Sequence, residues 1–204
     1  MAIPSAEAPK KRKKAIPGFA QLQRVGRSLM LPIAVLPAAA LLMRFGQPDM
    51  LGADGLGKFA DWLLPVATVF AAAGTALFDN LPLIFAVGVA IGFAKKADGS
   101  TALAAVVGYM VLTGVFTAMA PSFGSDNGEG ENAINFGVLG GIVVGIITAL
   151  LYQRYHRIKL PTYLGFFGGR RFVPIVTAVA AMVIAVVMAL IYPVFDALIN
   201  KGVG

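Results

Sequence analysis

Residues 172–193 read FVPIVTAVAAMVIAVVMALIYP, a run of 22 residues with no charge. At 1.5 Å of rise per residue a helix of this length extends about 33 Å, enough to cross a hydrocarbon core of about 30 Å. Working outward, residues 28–46, 102–119 and 137–153 have the same length and character, and a fifth apolar stretch ends in residues 81–94. Composition agrees: 58% of the 204 residues are hydrophobic and 13% charged, with a mean hydropathy of +0.79. A soluble domain of this size would have far more apolar surface than one core can hide. The expectation is an all-α membrane protein with about five transmembrane helices.

The region 64–94 admits two readings. Cut at Asp79-Asn80-Leu81-Pro82 it gives two short spans; uncut it gives one. A cut reverses the side on which every later loop lies, so the basic residues decide. Lys10 to Lys14, Arg24 and Arg27 precede the first span, Lys95 and Lys96 follow the second, and Arg154, Arg157, Lys159, Arg170 and Arg171 follow the fourth. With one span, 14 of the 17 basic residues share one face, as the positive-inside rule requires of the cytoplasmic side. The expected topology is a multi-pass membrane protein with a cytoplasmic N-terminus and an outer C-terminus. Asp79 is then expected near the outer interface, with residues 59–78 as an outer extension or a surface-lying helix.

Residues 1–17, rich in Pro, Lys and Ala without apolar periodicity, are expected to be a disordered basic cytosolic tail that touches anionic lipid rather than nucleic acid. Residues 28–46 are too long for a signal-peptide core. Phe19, Leu22, Val25 and Leu29 recur at three- and four-residue spacing opposite Gln21, Gln23, Arg24 and Arg27, which predicts an amphipathic helix on the inner leaflet before the first span.

Chemistry is sparse. The span interiors carry essentially no ionisable residues, the groups that mark ion paths and proton relays. There is no cysteine, and the one histidine, His156, sits in the basic run 154–157 and is read as a solvated loop residue. Catalytic residues, metal ligands and cofactors are all expected to be absent from this chain. Asp79 and Asn80 are the weak candidates for contact with a polar solute. Gly88 and Gly92, and likewise Gly137, Gly141 and Gly145 continued by Ala149, recur every four residues, so two helices carry stripes where backbones approach closely. Whether they pack within the chain or between subunits stays open. The segment KLPTYLGFFGGRRFVPI, residues 159–175, mixes Gly165, Phe166, Phe167, Gly168, Gly169, Arg170 and Arg171 at the mouth of the last span. One reading is an interfacial anchor; the other is a glycine-hinged cationic gate or docking loop, since arginine pairs well with phosphate.

Several blocks carry a resemblance. LQRVGRSLMLPI (residues 22–33), NLPLIFAVGVAIGFA (80–94), ADGSTALAAVVG (97–108) and the 164–174 loop together resemble the membrane (IIC) component of bacterial sugar phosphotransferase systems, in the glucose and N-acetylglucosamine branch. The resemblance spans about residues 19 to 195, and AKKADGST (94–101) is similar to actinobacterial N-acetylglucosamine permeases. It implies a dimeric permease that takes up N-acetylglucosamine or glucose while a cytosolic IIB partner phosphorylates it. Members are about twice as long, with a sugar-binding histidine and glutamate in the second half. Residues 18–204 therefore look like the N-terminal scaffold and dimerisation half, as a fragment, a truncated frame or a split subunit. The alternative is a non-transporting membrane anchor or interaction protein.

Overall fold

In a computed structural model, residues 19–126 and 132–202 can be described. The basic tail expected at 1–17 lies outside them. The described chain is almost wholly helical: α1 (Phe19–Ile33), α2 (Leu36–Phe45), α3 (Leu63–Asp79), α4 (Leu81–Phe93), α5 (Gly99–Phe123), α6 (Gly137–Tyr155) and α7 (Phe172–Gly202). A two-stranded antiparallel ribbon, β1 (Ser125–Asp126) and β2 (Asn132–Ala133), joins α5 to α6. Short 3-10 segments occupy Leu56–Lys58, Thr162–Phe167 and Gly169–Arg171.

Among the described residues, four helical stretches are long and apolar enough to cross a membrane: Gln23–Phe45, Gly99–Phe123, Gly137–Tyr155 and Gly169–Ile199. A fifth arises when α3 and α4, bent by 56° at Asn80, count as one broken span. This is an all-α membrane protein. In lipid every backbone group must be satisfied within the element, so long helices are what such runs can form. The amphipathic stretch is not a helix set apart from the first span, because nothing in the sequence interrupts the helix at Arg27-Ser28. It forms the early turns of α1, which runs on to a turn at Ala34-Val35 between Pro32 and Pro37.

Small residues decide the packing. A Cβ added to Gly92 would lie 2.6 Å from the Ser28 Cβ, and one on Gly88 would lie 2.7 Å from the Pro32 ring, so α1 and α4 run antiparallel in close contact. On another face of α4, Gly141 lies against the Pro82 carbonyl and Gly145 against the Ala86 carbonyl and Val89, in parallel register with α6. Gly108 of α5 faces Thr177 and Ala181 of α7 on one side and Val144 of α6 on the other. The buried stripe of α7, Val173, Thr177, Ala181, Ala185 and Ala189, again recurs every four residues. Alternating helix directions give the bundle two ends. One carries Arg24, Arg27, the α4–α5 loop and the α6–α7 loop; the other carries the α2–α3 turn and the ribbon.

The hairpin of α2 and α3 meets at Gly46 against Ala71 and Gly74 against Met43. It bends away from the α4–α7 body and leaves Leu41, Phe45 and Val69 exposed. The rings of Phe136, Tyr192 and Phe195 cluster edge-on and tilted at the ribbon end, where Tyr192 and Ser125 hydroxyls lie 3.3 Å apart.

Candidate functional site

At the basic end two loops meet. The sequence Asp98-Gly99-Ser100-Thr101 starts α5 with a capping box, in which the Asp98 side chain accepts from the Ser100 backbone N–H (3.0 Å) while the Asp98 N–H donates to the Thr101 hydroxyl (3.3 Å). Such caps supply partners for the orphan N–H groups of a first turn. One Asp98 oxygen, Oδ1, is thereby fixed, and the other, Oδ2, lies 2.8 Å from Nη1 of Arg170. The Ser100 hydrogen bond foremost, and then the Arg170 charge, hold the Asp98 carboxyl below the usual carboxylate range against the opposing effect of partial desolvation.

Around this pair the end of α6 is tied to the α4–α5 loop. The Tyr152 hydroxyl donates to the Lys96 carbonyl (3.0 Å) and Gln153 Nε2 to the Phe93 carbonyl (3.4 Å). Lys96 itself has φ +57, a left-handed conformation that bends the chain off α4 toward Asp98. His156 is half-buried rather than solvated: its ring stacks on Tyr152 and its Nδ1 is 2.7 Å from the Tyr152 carbonyl, which makes Nδ1 the protonated nitrogen.

The loop residues singled out in the sequence fall into two groups. Phe166 and Phe167 are exposed, their rings edge-on to one another, and Arg171 sits 4.8 Å over the Phe166 ring while reaching the Phe166 carbonyl at 3.4 Å. Gly169 has φ +69, a conformation that favours glycine, and its N–H donates to the Ile158 carbonyl (3.0 Å). Gly168 closes a turn on Gly165, whose own α-carbon faces open space. Asp98 was missed in the sequence. The available signal was a lone acid on a strongly basic face, since no other Asp or Glu occurs between Asp79 and Asp126.

Asp79 and Asn80 are exposed at the α3–α4 bend, where Asn80 Nδ2 donates to the Ala76 carbonyl. Pro82 abuts Gly141, one turn into α6, so the bend lies level with the start of α6 at the end opposite the Asp98 cluster. Gly88, Gly92, Gly141 and Gly145 make the helix contacts described above. Gly137 does not join them: it starts α6 with φ +51 and receives its contact from the Asn135 side chain. A cavity of about 650 Å³ opens beside the ribbon, lined by Thr113, Phe116, Thr117, Pro121, Asn132 and Ile134. Asp79 and Asn80 do not line it. No group of three metal-ligating side chains occurs among the described residues.

Comparison with known proteins gives consistent matches. Residues 26–203 match the family described as phosphotransferase system, EIIC. The N-acetylglucosamine-specific EIIC component of the Streptomyces coelicolor phosphotransferase system is 50% identical over 98% of this chain and 48% of its own length. The glucosamine-specific EIICBA component of Bacillus subtilis is 46% identical over 90% of this chain and 27% of its own length. The N-acetylglucosamine-specific EIICBA component of Escherichia coli is 44% identical over 88% of this chain and 24% of its own length. The chain thus spans about half, or about a quarter, of the length of these relatives.

Proposed function

The chain belongs to the phosphotransferase system EIIC family, and from that premise we propose that it is the N-terminal scaffold half of a membrane permease for an amino sugar. The observation that carries this reading is the alignment of 98% of the chain with 48% of an N-acetylglucosamine-specific relative. N-acetylglucosamine is the favoured substrate because two of the three relatives carry that name, with glucosamine or glucose next. Uptake is coupled to phosphorylation by a cytosolic IIB partner, a step for which this chain supplies no cysteine. The closely packed glycine contacts of α1, α4 and α6 favour a rigid scaffold, and binding groups for the sugar are assigned to the remainder of the permease. The exposed apolar residues of α2, α3 and α7 suit lipid or a second subunit, and we propose a homodimer.

We further propose that the basic end faces the cytoplasm, so that the N-terminus, Asp98 and the 159–171 loop are inside and the ribbon is outside. Among the described residues, Arg24, Arg27, Lys95, Lys96 and the five basic residues between 154 and 171 at that end support this orientation. The loop 159–171 is proposed as the segment that couples the two halves of the cycle.

The test is genetic. The chain, joined to the remaining half of the Streptomyces relative, should restore phosphoenolpyruvate-dependent uptake of labelled N-acetylglucosamine to cells lacking their own permease. The chain alone should neither bind nor move the sugar. Lack of uptake by the joined protein at normal membrane levels would overturn the transport reading in favour of a non-transporting membrane protein.

A further inference from the structure

The 159–171 segment is held to itself more than to the bundle. Its hydrogen bonds run from Leu164 to Pro161, from Gly168 to Gly165, from Gly169 to Ile158 and from Arg171 to Phe166, all within the segment or to the residue that precedes it. Residues 161–167 are exposed throughout. The ion pair from Arg170 to Asp98 reaches out of the segment to a different helix, 72 positions earlier in the chain.

The two partners are built differently. Asp98 is short, 24% exposed and oriented by its capping bonds, so its carboxylate is in place before the loop arrives. Arg170 is long, 68% exposed and directly follows Gly168-Gly169, where the backbone turns through a left-handed residue. A fixed anion and a tethered, solvated cation make a contact that forms without reorganising α5 and yields to salt.

We infer that Asp98 is a positioning residue and that the Asp98–Arg170 pair is a latch, holding the α6–α7 loop against the start of α5. Its consequence for transport rests on the coupling role proposed above; the latch itself does not.

Asparagine is as good a helix cap as aspartate, so Asp98→Asn removes the charge and keeps the first turn of α5. Amide hydrogen exchange of the chain in lipid nanodiscs is the readout. In Asp98→Asn, and equally in Arg170→Gln, exchange across 158–171 should rise about two- to fivefold, the range of a single ion pair with one solvated partner. The double variant should rise no further than either single one. Raising the salt should increase loop exchange in the parent and leave Asp98→Asn unchanged. Asp98→Ser, a second uncharged cap, should repeat the result. Unchanged loop exchange in both single variants would overturn the latch, and so would an equal rise across residues 100–104, which would mark a lost cap instead. If loop exchange rises while sugar uptake by the joined permease stays coupled as in the parent, the latch stands and the coupling role of the loop falls.

Discussion

Replacing Gly145 by alanine adds one methyl group at the tightest kind of contact in the bundle. Its Cβ would lie 2.6 Å from the Ala86 carbonyl oxygen, 2.8 Å from the Val89 Cβ and 3.0 Å from the Val89 Cγ1. Carbon and carbonyl oxygen come no closer than roughly 3.3 Å without repulsion, and neither obstacle can rotate away, since one is backbone and a helical valine is held in one rotamer. The α4 and α6 helices must therefore part by about 0.7–1 Å. A gap of that size forfeits a quarter to a half of each dispersion contact; a loss spread over the roughly forty contacts of about 0.15 kcal/mol that one well-packed side chain makes would come to about 2 kcal/mol. Overpacked cores generally cost about 1–3 kcal/mol, which agrees. The better helix propensity of alanine returns at most about 0.5–1 kcal/mol. Gly114→Ala is the internal control, since its added Cβ meets nothing within 4 Å. Unfolding of the detergent-solubilised chain, followed by helical circular dichroism against added denaturing detergent, should place Gly145→Ala below the parent by about 1–2 kcal/mol and Gly114→Ala level with it or above. Equal stability for the two variants would refute the argument that close backbone approach of α4 and α6 is what holds the pair.

The proposed orientation is checked by single cysteines in this cysteine-free chain: maleimide applied to intact cells should reach residues 54 and 200, and reach residues 98 and 168 only after the membrane is opened. Labelling of residue 98 in intact cells would invert the topology. The charge of the Asp98 carboxylate, favoured by the Ser100 hydrogen bond and by Arg170, predicts a pH effect with a definite sign. Because the folded carboxyl titrates below its unfolded value, its stabilisation is present above about pH 4 and fades as pH falls through the lower folded value. The stability difference between the parent and Asp98→Asn should therefore stay constant from neutrality to about pH 4 and shrink below it; a difference that grows on acidification would remove Asp98 from that role.

Which residues form helices, and which of those helices belong in a membrane, was legible in the sequence because length and lack of charge are enough. In lipid the backbone must bond to itself, so an apolar run such as 102–119 has one regular choice. Charge counting favoured keeping 64–94 as one span; the structure bends this stretch by 56° at Asn80, where a proline stands at the second position of α4. What faces what was a different matter. In a soluble helix the apolar stripe marks the core, but in lipid both the core and the surroundings are apolar, so Gly88 and Gly141 look alike in sequence although one meets Pro32 and the other Pro82. The buried stripe of α7, from Val173 to Ala189, was not singled out in the sequence, because nothing in an apolar run says which face meets α5. Tertiary structure alone decided that Gly137 serves a helix start rather than an interface. It also decided that Asp98 and Arg170 meet, because their contact depends on α5 running parallel to α7, in the register that sets Gly108 against Thr177 and Ala181.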